Sequence, residues 1–555
     1  MSIAELLLEK GLITSDQLAA AVDLRKTDGI RLDRALVKLG YVSEEVLLRV
    51  MSEQLAIPMI DLTAAPIDAD TLAAMPAKLV YRKHVVPVRK DNGTLIVATA
   101  DPFDLYAFDE IRMLTGFEVQ PVLATEDQIM QMIKAHYGVG GDTVEEMADH
   151  DDLQVLSDTG EGSDDLLEMA QEASVIKLVN EIFLEALNER ASDIHIEPYE
   201  SGLSIRYRID GVLHEPTVPP QIRRFQNAII SRIKILANLN IAEKRLPQDG
   251  RIKVKAGRRE VDIRVSVIPM LFGEGVVMRV LDKSQVLYTL PQLGMAADTF
   301  ALFEDQIARP HGIILVTGPT GSGKTTTLYA ALQAIVNGEI KVLTIEDPVE
   351  YHLNGVNQIQ VQPKIGMTFA RGLRAILRHD PDVVMIGEIR DKETAEAAIQ
   401  ASMTGHLVLS TLHTNDACSA VTRLLDMGIE PFLVASTLNA AMAQRLVRTV
   451  CPDCKQPYDP APGDLPADIK MEEGDALYRG AGCRSCRGTG FRGRSGLFEL
   501  MTVDDQVRQL IMQRAASQDI VRAARTNGLR LLREDGWVRV RHGITTPEEV
   551  MRAAR

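Results

Sequence analysis

The eight residues Gly318-Pro-Thr-Gly-Ser-Gly-Lys-Thr325 are the most informative stretch of this sequence. They satisfy the pattern G-x-x-x-x-G-K-[ST], in which glycines let the backbone wrap around phosphates and main-chain N–H groups bind anionic oxygens. The apolar run Ile313-Ile-Leu-Val316 before them predicts a buried strand, and residues 326–335 after them predict a helix. A P-loop in this setting predicts a site for a nucleoside triphosphate.

We expect the loop and the first residues of its helix to bind ATP together with Mg²⁺. Lys324 would neutralise β- and γ-phosphate charge, and the Thr325 hydroxyl would ligate the magnesium ion. The predicted nucleotide-binding residues of this segment are Gly318, Pro319, Thr320, Gly321, Ser322, Gly323, Lys324, Thr325 and Thr326.

Three further apolar runs end in polar residues. The run 342–345 leads into Glu346, the run 383–386 into Glu388, and the run 407–411 into His413. Strands alternating with helical stretches predict a parallel α/β sheet, and such sheets bind ligands at the carboxyl ends of their strands. Each acid alone could be a surface or capping residue. Beside a P-loop, they predict the acids that hold Mg²⁺ and orient the attacking water.

Two C-x-x-C pairs, Cys451/Cys454 and Cys483/Cys486, predict four thiolate ligands for one structural Zn²⁺ within a small element at about 448–496. Two pairs of buried thiols without a metal are the alternative. The fifth cysteine, Cys418, stands alone and fits a small core position.

The chain has 555 residues, enough for three or four domains, and a formal net charge of −16. Such acidity argues against a protein that coats nucleic acid or anionic lipid. Twelve acids and no Lys or Arg lie between Lys134 and Lys177, which predicts an acidic linker at 138–170. A solvated acidic helix is the alternative for part of it. No apolar run is long enough for a membrane helix, and the start lacks signal-peptide features, so we expect a cytoplasmic protein.

The N-terminal module, residues 1–137, contains a repeat with a shift of 29 residues. Gly11 and Gly40 suit the position just after a helix end, and Thr14 and Ser43 suit N-caps three residues later. Thr14 with Gln17 predicts a capping box. Two helical units over 1–60 are therefore expected, followed by a mixed part with a strand at 95–98.

The middle segment, residues 171–290, predicts an α+β domain, and residues 291–555 predict the α/β domain. A helix is expected at 174–187, and alternating strands at 194–196, 203–209 and 261–267. Asp-Gly pairs at 210–211 and 249–250 predict turns. The segment concentrates arginines, which suit a transferring phosphate, although each alone could be an ordinary surface residue. They are Arg206, Arg208, Arg245, Arg251, Arg264 and Arg279.

From about residue 171 to 555, the sequence resembles the secretion ATPase superfamily of type II secretion and type IV pilus machines, the GspE/PilB family. The run 241–251 together with the four cysteines is most similar to the GspE branch. The segments that carry the resemblance are Ser192–Pro198, Arg208–Gly211, Arg245–Arg251, Thr344–Glu350, which looks like the Asp box, Arg378–Asp391, which looks like the Walker B element, and Thr404–Asn415, which looks like the His box.

The resemblance implies a RecA-like ATPase domain, a homohexameric ring, and ATP held between the middle and C-terminal domains. In it, Glu346 would polarise the attacking water and Glu388 would be the Walker B acid near Mg²⁺, although the two could exchange roles. His406 and His413 would link nucleotide state to subunit contacts. The arginines expected to reach the phosphates are Arg208, Arg264 and Arg279.

The N-terminal repeat resembles the MshEN-type module, which in some relatives binds cyclic di-GMP. Ser2 and Arg25 stand where the first unit should have Arg and Gln, and Asp33 replaces the usual Gly of the second unit. The resemblance therefore favours docking to inner-membrane platform proteins, GspL-like and GspF-like, over binding of cyclic di-GMP. Membrane contact would then be made only through partners.

Five functions are compatible with the P-loop. The favoured one is a motor for type II protein secretion, which assembles a pseudopilus, and assembly of a type IV pilus is the alternative. Pilus retraction motors generally lack the long N-terminal module and the four cysteines. A nucleic-acid translocase is disfavoured by the negative charge, and a nucleotide-gated scaffold without turnover would differ from a motor only in its rate of hydrolysis.

Overall fold

A computed structural model describes most of the chain. The described residues are 3–28, 31–62, 67–91, 93–137, 173–216, 218, 220–256, 259–282, 288–460, 465, 466, 468, 469 and 476–554. The predicted linker at 138–170 and Ser2 lie outside them. The chain divides into two units, Met1–Asp282 and Lys283–Arg555.

Four helices form the first layer of the N-terminal module. They are α1 (Ile3–Glu9), α2 (Ser15–Asp28), α3 (Leu32–Lys38) and α4 (Glu44–Leu55). The predicted repeat is confirmed locally, because Gly11 and Gly40 have positive φ angles of 66° and 74° after α1 and α3. The Thr14–Gln17 capping box is present, and Ser43 accepts a hydrogen bond from the N–H of Val46 at the start of α4.

A small α/β layer completes this module. Its elements are α5 (Ala69–Leu72), α6 (Ala77–Lys83), β1 (Val85–Asp91), β2 (Thr94–Thr99), α7 (Leu105–Thr115), β3 (Glu118–Leu123) and α8 (Glu126–Tyr137). The strands are ordered β1-β2-β3, with β1 antiparallel and β3 parallel to β2. The strand predicted at 95–98 is therefore confirmed as part of β2.

The middle segment is an antiparallel six-stranded sheet with helices on one face. Its elements are α9 (Ala173–Asn188), β4 (Asp193–Pro198), β5 (Leu203–Ile209), β6 (Val212–His214), α10 (Gln226–Leu236), β7 (Gln248–Ala256), β8 (Arg259–Met270) and β9 (Gly273–Asp282), in the order β6-β5-β4-β9-β8-β7. Alternation places apolar residues such as Ile194 and Ile263 in the core and polar residues on the other face. The turn predicted at Asp210-Gly211 is confirmed. The turn predicted at Asp249-Gly250 is wrong, since both residues belong to strand β7 and pair with strand β8.

The C-terminal unit is built on a seven-stranded sheet in the order β12-β11-β13-β14-β10-β15-β18, parallel except for the last pair. Fully buried strands β10, β11, β13 and β14 are covered by helices on both faces, as their unbroken apolar runs require. The elements are α11 (Ala297–Ile307), β10 (Gly312–Thr317), α12 (Lys324–Ile335), β11 (Val342–Glu346), β12 (Val356–Gln360), α13 (Phe369–Ile376), β13 (Val383–Ile386), α14 (Lys392–Met403), β14 (Leu407–Leu412), α15 (Ser419–Asp426), α16 (Pro431–Thr437), β15 (Leu438–Val450), β16 (Lys455–Tyr458), β17 (Leu477–Gly480), β18 (Phe491–Thr502), α17 (Asp505–Met512), α18 (Ser517–Thr526), α19 (Leu532–Arg541) and α20 (Pro547–Ala553).

Candidate functional site

The P-loop joins the buried strand β10 to helix α12, as the sequence predicts. Gly318 has a φ of 146°, and a Cβ there would lie 2.6 Å from the Gln444 carbonyl oxygen. Gly323 has a φ of 89°, and its Cβ would lie 2.9 Å from Gln444 Nε2. These two glycines are required because the loop turns in a left-handed conformation while it packs directly against β15.

Lys324 folds back over the loop. Its Nζ donates to the carbonyl oxygens of Gly318 at 2.9 Å and Pro319 at 3.0 Å. Burial lowers the pKa of Lys324, while Glu388 raises it and Arg445 lowers it further. Inside the same loop, the buried Ser322 Oγ has no hydrogen-bond partner in the described part of the chain. The loop therefore holds an ammonium group and an unsatisfied hydroxyl, which together suit an anionic ligand.

Glu388 and His413 meet beside this loop. They follow the paired strands β13 and β14, whose register brings Ile386 opposite Ser410. Glu388 Oε2 lies 3.4 Å from His413 Nε2, and Glu388 Oε1 lies 2.5 Å from Arg390 Nη2. With a side chain 13% exposed, Glu388 is sheltered but open to one side. The structure thus places Glu388 and His413 together at the carboxyl edge of the sheet, with Glu388 near enough to Lys324 to raise the pKa of that lysine.

Glu346 ends β11 at the same edge but is only 3% exposed. Its carboxylate accepts hydrogen bonds from the Tyr329 hydroxyl, from Thr344 Oγ1 at 2.5 Å and from Gln358 Nε2 at 3.1 Å. Burial raises the pKa of Tyr329 well above its usual range, and the Glu346 carboxylate raises it further. Tyr351 packs edge-on against Tyr329, with ring centroids 4.6 Å apart. Glu346 is thus a buried acid held by three donors.

His406 lies at the opposite edge of the sheet. It precedes β14, and its Nδ1 donates to the Ala401 carbonyl at 2.8 Å. The six residues of β14 separate it from His413, a span of about 20 Å. Within one chain, the structure therefore places His406 apart from the P-loop.

Two residues of β15, Gln444 and Arg445, also line the loop. Gln444 Oε1 accepts a hydrogen bond of 2.8 Å from Thr327 Oγ1 of helix α12, and both residues are buried. Arg445 donates to the carbonyl oxygens of Gln444 at 3.1 Å and Asn415 at 2.8 Å. Neither residue belongs to a sequence motif that predicts phosphate binding. Only the pairing of β15 with β10, which puts Met442 beside Val316 and Ala443 beside Thr317, places them there.

The middle domain carries a cross-strand row of four arginines and one acid on its polar face. Direct pairing across five strands aligns Arg208, Asp193, Arg279, Arg264 and Arg251 in that order. Asp193 forms ion pairs with two of these arginines, at 3.7 Å from Arg208 Nε and 3.1 Å from Arg279 Nε. The structure therefore places the predicted arginines Arg208, Arg264 and Arg279 in one row, and Arg251 at its end pairs with the buried Asp262.

The four cysteines form one cluster, with all Sγ atoms within 4.8 Å of one another. The Sγ–Sγ distances are 3.7 Å for Cys451–Cys483, Cys454–Cys486 and Cys483–Cys486. A tetrahedral site with bonds of about 2.3 Å has an edge of about 3.8 Å, whereas a disulfide needs about 2.05 Å. The main-chain N–H groups of Cys483 and Gly490 donate to Cys486 Sγ at 3.1 and 3.3 Å. Burial raises the pKa of Cys486, but these hydrogen bonds help to lower it to about 7. The donor set fits a four-thiolate metal site.

Comparison with known proteins identifies the family. The model for "Type II/IV secretion system protein" matches residues 168–552, and the model for the MshEN domain matches residues 55–143. The chain belongs to the type II/IV secretion system protein family. It is 44% identical over 556 residues to the type IV pilus assembly ATPase PilB of Myxococcus xanthus, covering 99% of this chain and 98% of that protein.

Other relatives of this secretion ATPase are named as type II secretion system proteins. The chain is 46% identical to the type II secretion system ATPase E of Vibrio cholerae, covering 90% of this chain and all of that protein. It is 43% identical to the type II secretion system protein E of Xanthomonas campestris over 99% of this chain and 98% of that protein. The predicted family, ATPase activity and fold class are therefore confirmed, but relatives of both machines match.

The solved structures agree on the fold of the ATPase. The Legionella pneumophila ATPase DotB, at 22% identity, superposes with a TM-score of 0.51 over 67% of this chain and 94% of that one. Among the described residues, no helix of this secretion ATPase is long and apolar enough to cross a membrane.

Proposed function

We propose that this secretion ATPase is the motor of a type II secretion system, in which ATP hydrolysis drives assembly of a pseudopilus. The observation that carries the nucleotide chemistry is the meeting of Lys324, Glu388 and His413 beside the P-loop. Full coverage of the Vibrio cholerae ATPase at 46% identity supports the choice of machine. Assembly of a type IV pilus is the second candidate, supported by a match to the Myxococcus xanthus ATPase that spans 99% of this chain.

Each residue of the site has a role in this proposal. Main-chain N–H groups of Gly318 and of residues 320–326 bind phosphate oxygens, whereas Pro319 has no N–H and only shapes the loop. Lys324 neutralises the phosphate charge, and the Thr325 hydroxyl ligates Mg²⁺. Glu388, sheltered beside Lys324, is the Walker B acid near that ion. Glu346 polarises the attacking water, which must reach a carboxylate that is 3% exposed and already accepts from three donors.

The histidines and arginines would respond to nucleotide state. His413, bonded to Glu388, reports the site to neighbouring elements, whereas His406 acts at the other edge of the sheet, on contacts between subunits. Arg208, Arg264 and Arg279 supply positive charge to phosphate oxygens. Their alignment in one cross-strand row supports this role.

We infer that the four cysteines bind one structural Zn²⁺. The Sγ–Sγ spacing and the thiolate-stabilising N–H groups support zinc, because four sulfur ligands in a tetrahedron are typical of closed zinc sites. With every ligand position taken by protein, the ion would stabilise the β16–β17 hairpin and take no part in hydrolysis.

We further propose a homohexamer at the cytoplasmic side of the inner membrane, held there by GspL-like and GspF-like platform proteins. The N-terminal module would dock to these proteins. Arg31 of this module is paired with Asp33 at 2.8 Å and with Asp101 at 2.7 Å. Because both carboxylates already engage this arginine, cyclic di-GMP is a weaker candidate ligand than a protein. The proposal includes no nucleic-acid partner.

Three variants of the purified full chain test the motor. Lys324→Ala should abolish ATP turnover, and a wild-type rate would refute the site. Glu346→Gln and Glu388→Gln should retain nucleotide binding but lose hydrolysis, since they remove a carboxylate without removing a phosphate contact. Unchanged rates in both variants would instead favour a nucleotide-gated scaffold.

Affinity capture with the full chain distinguishes the two machines. Membrane extract from the source cells is passed over immobilised protein, and retained proteins are identified by mass spectrometry. A GspL-like partner supports type II secretion, whereas a pilus platform protein without a GspL-like one contradicts it and supports pilus assembly.

A further inference from the structure

Arg445 of β15 lies against the first residue of the P-loop. A Cβ on Gly318 would be 3.1 Å from Arg445 Nη1, so the guanidinium passes directly over that glycine. Lys324 Nζ approaches the same glycine from its carbonyl side, at 2.9 Å. Two cationic groups, one on β15 and one on α12, thus flank a single residue of the loop.

Arg445 has no ion-pair partner among the described residues. Its hydrogen bonds go to two main-chain carbonyl oxygens, those of Gln444 and Asn415. The nearest acids are committed elsewhere. Glu499 accepts from the N–H groups of Ala417 and Leu532, and Asp416 accepts from Ser419. Burial lowers the pKa of Arg445, and the distant attraction of Glu499 and Asp416 offsets this only in part.

A purely structural arginine would be expected to look different. A guanidinium offers five N–H donors in a planar fork that matches carboxylate or phosphate, and a partly buried arginine is normally paired with such an anion. Arg448, three residues along the same strand, follows this rule, with Nη2 at 2.7 Å from the buried Glu549. Among the residues that the structure describes, Arg445 has no such anion, and it lies beside a loop built to hold one.

We propose that Arg445 is a phosphate-binding residue whose counter-ion is the polyphosphate of the nucleotide in the P-loop. The inference rests on the proposed nucleotide site and adds a residue that its motifs do not include. One anionic group at Gly318 would neutralise Arg445 and Lys324 together. The bonds to Gln444 and Asn415 hold the guanidinium in place before the nucleotide arrives.

Titration of the full chain with a fluorescent ADP tests this proposal. Arg445→Gln should weaken ADP binding by about 10- to 100-fold, the usual effect of losing a charged hydrogen bond. Inorganic pyrophosphate, used as a competitor, should lose affinity by a similar factor, and Arg445→Lys should recover part of the loss. Arg522→Gln, which removes an arginine 78% exposed on α18, is the control and should bind like the wild type.

Wild-type affinity for ADP and pyrophosphate in Arg445→Gln would overturn the proposal. A second result would also overturn it: both Arg445 variants unfold at a lower temperature without nucleotide, and lysine recovers no affinity. That combination would show that Arg445 has a structural role only. Failure of the wild-type chain itself to bind ADP would refute the proposed nucleotide site instead.

A second measurement needs no variant and so does not depend on folding. Phenylglyoxal modifies accessible arginines, and mass spectrometry measures the rate at each one. Saturating ADP should slow modification of Arg445 at least several-fold and leave Arg522 unchanged. Equal rates at Arg445 with and without ADP would contradict phosphate binding.

Discussion

Removal of the Tyr329 hydroxyl tests whether Glu346 is held as a buried, charged acid. Tyr329 is 1% exposed, and its hydroxyl donates to the carboxylate of Glu346, which is 3% exposed. Tyr329→Phe keeps the ring and its edge-on contact with Tyr351 but removes one of three donors. A hydrogen bond to a charged group contributes about 1.5–3 kcal/mol, so we expect the ATPase unit to lose about 2 kcal/mol of unfolding free energy.

Calorimetry of the full chain without nucleotide measures this loss. For a unit of this size, about 2 kcal/mol corresponds to a fall of about 4–8 °C in the unfolding midpoint. Tyr351→Phe is the matched control, because it removes a half-buried hydroxyl that makes no hydrogen bond to Glu346 among the described residues. The control should change stability by less than about 1 kcal/mol.

A double-mutant cycle with Glu346→Gln completes the test. If the hydroxyl stabilises the carboxylate, the two changes should be coupled by at least about 1 kcal/mol. Equal destabilisation by the Tyr329 and Tyr351 variants, or additive effects in the cycle, would refute the description of Glu346 as a satisfied buried acid.

Three further predictions concern the cysteine cluster and two buried ion pairs. Cys454→Ser should reduce bound zinc below one ion per chain in elemental analysis, with loss of protection from proteolysis in the β16–β17 hairpin. Lys234→Met should destabilise the middle domain by about 3–5 kcal/mol, because it leaves Glu274 without the fully buried lysine 2.7 Å away; the double variant with Glu274→Gln should recover most of this in denaturant unfolding. Burial raises the pKa of Glu549, but hydrogen bonds from Arg552 and Arg448 lower it to about 2. The contribution of Glu549 to stability is therefore present above pH 4.5 and is lost as the pH falls toward 2. Glu549→Gln should therefore destabilise the chain more at pH 7 than at pH 3 in urea unfolding.

The P-loop and the strand ends could be predicted because their information is local. A buried apolar run followed by a polar residue indicates where a parallel strand ends, and all such ends meet at one edge. The same rule applies to both ends of β14, which is why His413 reaches the P-loop while His406, before the strand, does not. Position relative to the strand, more than residue type, separates the two histidines.

The surroundings of Glu346 could not be predicted in this way. Its donors come from α12, β11 and β12, and only the folded sheet brings Tyr329, Thr344 and Gln358 to one carboxylate. The position of Arg445 likewise depends on the pairing of β15 with β10. The arginine row of the middle domain could be predicted only in part. Alternation predicts which arginines of one strand share a face, but the register of five strands aligns them in a row.

Strand β15 connects the P-loop with the cysteine cluster. It is 13 residues long, contacts the P-loop through Gln444 and Arg445, and leads directly into Cys451, the first cysteine of the cluster. From Arg445 to Cys451 is about 20 Å of extended chain with no intervening loop. The strand pairs with β18 from Ala440 to Val450, with one irregularity between Arg448 and Val450. A shift of the backbone behind the nucleotide would therefore move the cysteine element as well, apart from the part of the movement that this irregularity absorbs.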